Sequence, residues 1–389
     1  DSGSSSYERI NETGMASETK TTTLHPAGGR ENNFPLIRLT AAVFVFAGHM
    51  GLILGGQPPL LGGLPLHELG VGMLFLISGY LITKSWLSDP HPLRFAVRRF
   101  LRLWPPFAVL VLLLALAAGP LLSSLGPEGY FRSGWAGYLR NLRFYIVYAL
   151  PGVFTDLPLP NSMNGSLWTM PVEAGLYVLT PVLLTVMRVK KKGEGTFPLA
   201  AATAAAAILL DICVRTFRPD AWIVVYGTEL VSSWHLVVFY LIGVLFTYEK
   251  ARRFLNLQAG CALMCLMLLG QYSMAPLQQL VMYTVFPYFI FSLAFAPQPL
   301  FRGLDRRMEL SYGIYLYGFF FQQLTVYLRG LYGWELTYTE AFLISAAPTV
   351  LAAALSCCLV EEPCRKLTRY LVGKLKAGST QKKGSERQI

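Results

Sequence analysis

The chain reads as an all-α, polytopic membrane helix bundle with about ten transmembrane helices and both termini cytoplasmic. Three observations carry that reading. Of 389 residues, 53% are hydrophobic and only 14% charged, where a soluble domain has roughly 25% charged residues. The apolar residues come in blocks of about 20, the length that crosses a bilayer, and mean hydropathy is +0.45. The basic residues recur in short clusters between those blocks, so the net charge of +11 speaks for membrane topology and against a nucleic-acid partner.

Residues 1–32 are polar and lack a hydrophobic core, so they are expected to be a disordered cytoplasmic segment. Met15 reads as a native start, with residues 1–14 an appended remnant. Residues 33–371 form the transmembrane domain and 372–389 a basic cytoplasmic tail. The spans are expected near 34–55, 69–88, 104–122, 166–187, 197–215, 229–248, 257–275, 278–296, 310–329 and 339–361. With these spans, all of the 33 lysines and arginines fall on one side except Arg132, Arg140, Arg143, Arg215, Arg218 and Arg329. Cytoplasmic loops retain positive charge, which places the termini inside. Six cysteines lie in or beside the apolar blocks, with neither a disulfide framework nor metal-ligand spacing, so no metal is expected.

The long outward loop near 123–165 is rich in Pro, Gly, Tyr and Asn and reads as a lid or acceptor-binding surface. The first span places Arg38 and His49 on one helix face: eleven residues at about 100° return within roughly 20°, about 16 Å further along. An ionisable group at that depth marks either a functional site or a structural histidine bonded between helices. In the second span Ser78 and Gly79 admit a neighbouring backbone, Tyr80 follows and Lys84 closes the helix. Arg98, Arg99 and Arg102 precede Trp104-Pro105-Pro106, which is expected to open the third span. Their crowding on one helical surface suits a phosphate-bearing ligand or anionic lipid.

The fourth span begins Ser166-Leu167-Trp168, with Ser166 as N-cap, and carries Glu173 about two turns inside, where a carboxylate needs a cation or a polar cavity. The ninth span carries Tyr312, Tyr315, Tyr317, Gln322 and Gln323, which line a polar groove or form an aromatic interface belt. The tenth is expected to stop at Glu361-Glu362-Pro363. Asp211, Glu229 and His235 read as structural polar residues.

In this order, Arg38 with His49, Ser78-Gly79-Tyr80-Leu81-Ile82, Arg98-Arg99-Phe100-Leu101-Arg102-Leu103-Trp104-Pro105, Ser166-Leu167-Trp168 with Glu173, Ser311-Tyr312-Gly313-Ile314-Tyr315-Leu316 and Glu361-Glu362-Pro363 resemble the acyltransferase-3 family of integral membrane O-acyltransferases. The resemblance covers about residues 33–371. It departs at Tyr317-Gly318, where many relatives carry His, and at Ala174, where many carry an acidic or amide residue; both bear on acceptor identity. It implies a stand-alone enzyme of the bacterial inner membrane that moves an acyl group, usually acetyl from acetyl-CoA, to a hydroxyl of an envelope glycan or lipid-linked saccharide. It implies catalytic roles for Arg38 and His49. Combined with the charge pattern, it points to Glu173 as a third catalytic group. Ser78, Tyr80, Lys84, Arg98, Arg99, Arg102, Trp168, Tyr312 and Gln322 become candidate substrate contacts. A proton-coupled or sugar transporter using the same intramembrane ionisable residues is the rival reading.

Overall fold

The computed structural model describes residues 32–189, 196–270, 275–297 and 309–385, with side chains as far as Ala377. The N-terminal segment through residue 31 and the basic runs 190–192 and 302–307 lie outside the described residues.

The chain enters α1 (Phe34–Ile53) through a proline in its first turn, where the missing N–H costs nothing. A short hairpin, β1 (Leu60–Leu61) with β2 (Leu64–Pro65), turns the chain into α2 (Leu66–Ser88). Next come α3 (Pro92–Leu113), α4 (Gly119–Leu122) and α5 (Gly126–Arg132). Helix α6 (Thr169–Val186), α7 (Phe197–Phe217) and the hairpin of β3 (Val224–Val225) and β4 (Thr228–Glu229) lead to α8 (Leu230–Leu245). The remainder is α9 (Glu249–Arg252), α10 (Leu257–Leu269), α11 (Ala275–Ala294), α12 (Ser311–Tyr332), α13 (Tyr338–Ser356) and α14 (Glu362–Ser385). The fold is thus a polytopic helical bundle, and each expected span has its helix. Among the described residues, seven helical segments are long and apolar enough to cross a membrane. Helices α8 and α10 are shorter, and α12 is diluted by its tyrosines and glutamines.

Four local expectations are corrected. The third span starts at Pro92, because His91 caps Arg94 N–H and Pro92 takes the first turn, so Arg94 to Arg102 ride on α3 and Pro105-Pro106 sit inside it. The tenth span does not stop at Pro363. A π turn over Cys357–Glu361 shifts the hydrogen-bond register just before that proline, and the helix continues as α14. The same device, a π turn over Leu114–Ala118, precedes Pro120. Asn164, not Ser166, caps the fourth span: its side-chain oxygen accepts from Ser166 N–H and its amide donates to the Leu316 carbonyl at 2.7 Å. The long outward loop carries α5 and a 3-10 turn over Trp135–Arg143.

Helices α1, α2 and α8 make the central contact, and glycines permit it. A Cβ on Gly79 of α2 would overlap the Tyr240 carbonyl oxygen of α8, and one on Gly243 of α8 would overlap the Leu76 carbonyl. On α1, a Cβ at Gly48 would overlap the His67 backbone nitrogen. Gly79→Ala must separate α2 from α8, so the Tm of the detergent-solubilised protein is expected to fall by on the order of 5 °C or more. Gly175→Ala is the control. Nothing lies within 4 Å of a Cβ there, and alanine is favoured over glycine in a helix by roughly 0.8–1 kcal/mol. Equal Tm changes in the two variants would refute the close-approach argument.

Candidate functional site

Two cavities lie along α1, one at each end of the Arg38-to-His49 face. The first is a narrow cleft of about 80 Å³ lined by Arg38, Ser78, Arg102, Glu173, Glu309 and Tyr312, among others. The second, about 510 Å³, is lined by His49, His67, Glu68, Trp168, Arg215 and His235, together with Leu159, Pro160, Asn161 and Ser162 of the long loop. Val71 of α2 lines both. The strip Gly165 to Met170 runs from one to the other: Trp168 faces the larger cavity, Thr169 the cleft, and Thr169 shares a 2.6 Å hydrogen bond with Tyr315 between them.

The cleft is an ion-paired cluster. Arg38 reaches Glu309 at 2.8 Å and Arg102 reaches the same carboxylate oxygen at 3.2 Å, joining α1 and α3 to the segment before α12. Burial pushes the Glu309 carboxyl up, but Arg102 and Arg38 outweigh it and hold the group below the ordinary glutamate range. Tyr177 donates a hydrogen bond to Glu173 one turn away, and Tyr312 donates to the Leu103 carbonyl at 2.8 Å.

The arginines expected to crowd one surface are distributed instead. Arg94 and Arg98 both bind Asp89, at 2.6 and 2.8 Å, and their hydrogen bonds hold its carboxyl well below the usual carboxylate range. Arg99 lies against the faces of Phe95 and Tyr177, and Arg102 belongs to the cleft. Tyr80 is stacked on Phe34, with the Lys84 ammonium 5.8 Å from its ring centroid. Gln322 is fully buried and donates to the Phe46 carbonyl at 2.7 Å. Tyr80, Lys84, Arg98, Arg99 and Gln322 line neither cavity.

His49 is buried, packed edge-on against Phe319 with ring centroids 5.2 Å apart. Among the described residues no hydrogen bond within the protein engages its ring, so its nitrogens are available to a molecule in the cavity. A family model described as an acyltransferase domain matches residues 32–360. The chain belongs to the acyltransferase-3 family of integral membrane O-acyltransferases. It is 28% identical over 375 residues to nodulation protein 10 of Rhizobium leguminosarum bv. viciae, across 90% of this chain and 97% of that protein. It is 24% identical over 350 residues to an O-acetyl transferase of Shigella phage Sf6, across 87% of this chain and 97% of that protein. A 141-residue stretch is 30% identical to a regulator of hypoxia-inducible factor 1 from Caenorhabditis elegans, covering 33% of this chain and 26% of that protein. No solved structure matches.

In the acyltransferase Arg38 and Glu173 line one cavity and His49 the other. Sequence reasoning missed His67, whose ring lies 5.6 Å from that of His49. Starting the second span at 69 left His67 in a loop, although the polar pair His67-Glu68 at the head of an apolar run was the signal available. Asp211 and His235, read from sequence as structural polar residues, meet at 3.6 Å between α7 and α8, with Tyr283 of α11 bonded to both.

The ion-paired cleft gives a pH prediction. A depressed folded pKa means that the Glu309 pairs stabilise the enzyme above the ordinary carboxylate range and lose that effect as pH falls through the folded value. From about pH 6 to about pH 3 the wild type is expected to lose more Tm than Glu309→Gln, which has no carboxylate to protonate. Parallel acid slopes would remove this cluster as a stabilising element.

Proposed function

We propose that the enzyme moves an acyl group, acetyl in the first instance, from acyl-CoA approaching the Arg38 end to a hydroxyl of a saccharide held in the His49 cavity. The acceptor would be an envelope glycan or a lipid-linked sugar, and the membrane the bacterial cytoplasmic membrane. The observation that carries the reading is the pair of cavities on one face of α1, with a guanidinium in one and an imidazole free of internal hydrogen bonds in the other. The relatives support it, since one is named an O-acetyl transferase.

In this reading His49 removes the proton from the acceptor hydroxyl, as suits an imidazole whose ordinary pKa is about 6.5. The oxygen attacks the thioester carbonyl, the carbon–sulfur bond breaks, and the departing thiolate takes the proton back from the imidazolium. Thioester and alcohol become ester and thiol, with no proton gained or lost. Arg38 and Arg102 meet the donor at the cleft, Ser78 and Tyr312 lie along its path, and Glu173 stands beside that path with Tyr177. Lys84, Arg98, Arg99 and Tyr80 line neither cavity and in this reading would meet the donor outside the cleft, where guanidinium forks suit CoA phosphates. Gln322 holds α1 to α12 and so fixes the helix that carries His49. Trp168 offers the acceptor a ring face.

A cleft of about 80 Å³ is far smaller than a pantetheine arm. Donor binding must therefore part the guanidinium–carboxylate contacts at Glu309.

His49→Ala is expected to lower kcat by about 10²–10⁴-fold, the usual contribution of general acid–base catalysis. Acyl-CoA binding and Tm should be retained. A fully active variant would end the role given to His49. Replacing Arg98, Arg99 and Arg102 together should chiefly raise the donor KM; an unchanged donor KM would remove these arginines from donor binding.

A further inference from the structure

His235 on α8 is 7% exposed and lines the same cavity as His49. Its neighbours fix the role of Nδ1. Arg215 Nε donates to Asp211 Oδ2 at 3.1 Å, and the Tyr283 hydroxyl donates to that same oxygen at 2.5 Å. A carboxylate bound this way only accepts, so the Tyr283 proton is committed to it and the tyrosine oxygen is left to accept. The hydrogen bond between Tyr283 and His235 Nδ1 then requires the proton on Nδ1. In the neutral ring that tautomer leaves the lone pair on Nε2, which is buried with no hydrogen-bond partner in the protein. Three helices, α7, α8 and α11, thus cooperate to hold a bare acceptor nitrogen. A hydrogen-bond donor in the cavity that reaches it would be bonded by a pre-oriented acceptor.

The cavity that His235 lines is also lined by Arg215, Glu68 and Ser232, which bring a guanidinium, a carboxylate and a hydroxyl, and by the ring of Trp168. Vicinal hydroxyls of a sugar each donate and accept, and one ring face of a sugar is apolar. The set fits such a molecule better than it fits an anion or a purely apolar group.

We propose that His235 Nε2, locked by the Asp211–Tyr283 relay, is a hydroxyl-binding subsite of the acceptor cavity. It accepts a hydrogen bond from a saccharide hydroxyl adjacent to the one that is acylated. This rests on the reading of the larger cavity as the acceptor site, and it adds a residue that selects and orients the acceptor without itself moving the acyl group.

His235→Asn places an amide nitrogen at the Nδ1 position, keeping the bond to Tyr283, and leaves nothing at Nε2. His235→Gln reaches the Nε2 position. The full-length protein in detergent is titrated with methyl glycosides of glucose, galactose, rhamnose and N-acetylglucosamine. Tryptophan fluorescence reads binding without requiring acyl transfer, and acyl-transfer kinetics with the same glycosides follow.

Expected is a roughly tenfold weaker Kd and higher acceptor KM in His235→Asn, with Tm and donor KM unchanged, and substantial recovery in His235→Gln. Identical glycoside Kd in His235→Asn and wild type overturns the proposal, as does a wild type that binds none of the glycosides. Should His235→Asn fail to fold, Tyr283→Phe releases the tautomer lock and is expected to weaken binding about threefold. Unchanged binding in that variant overturns the proposal equally. A wild type that binds glycoside but transfers no acyl group counts against the acyl-CoA reading alone.

Discussion

The constraint on which the rest depends is the backbone-to-backbone approach of α1, α2 and α8. Glycines at 48, 79 and 243 leave no room for a Cβ between these helices. Small residues of this kind are how membrane helices gain packing energy, since lipid offers no hydrophobic incentive to associate. The approach sets His67 beside His49 and brings His235 of α8 to the same cavity. It also makes Val71 the shared wall between the cleft and the cavity. A looser crossing would merge or close these spaces.

Charge is handled differently at the two ends. Around the cleft, Glu309 takes Arg38 and Arg102, and Asp89 takes Arg94 and Arg98. Such pairs offset the cost of holding guanidinium groups near the membrane interior. At the other end, among the described residues, neither the His49 nor the His67 ring is ion-paired, and His235 Nε2 has no hydrogen-bond partner. At the Arg38 end the guanidinium groups are paired with carboxylates, while polar side chains line the larger cavity. Under the proposed function, an anionic donor at the first site would compete with carboxylates already present, whereas a saccharide at the second would bond to the polar groups of the wall.

Much of this was legible in the sequence. Block length and hydropathy located the helices, and the 3.6-residue period put Arg38 and His49 on one face. The family resemblance rested on ordered short motifs, and the match over residues 32–360 agrees with it. Pairing across helices was not legible. Nothing local to Arg102 announces Glu309, 207 residues later. Nothing near His235 announces Asp211 and Tyr283, which arrive from two other helices. The stop expected at Pro363 failed for a subtler reason, because a π turn that absorbs a proline has no simple sequence signature.

The central claim is that transfer joins a donor on one face of the membrane to an acceptor on the other, through the path between Arg38 and His49. Reconstitution in sealed vesicles of uniform orientation tests it most directly, with acyl-CoA and a methyl glycoside confined to chosen compartments. Ester product should form when the thioester is on the Arg38 side and the sugar on the His49 side, and should be absent when the two are exchanged. Product formed only when both substrates share one compartment would contradict the account.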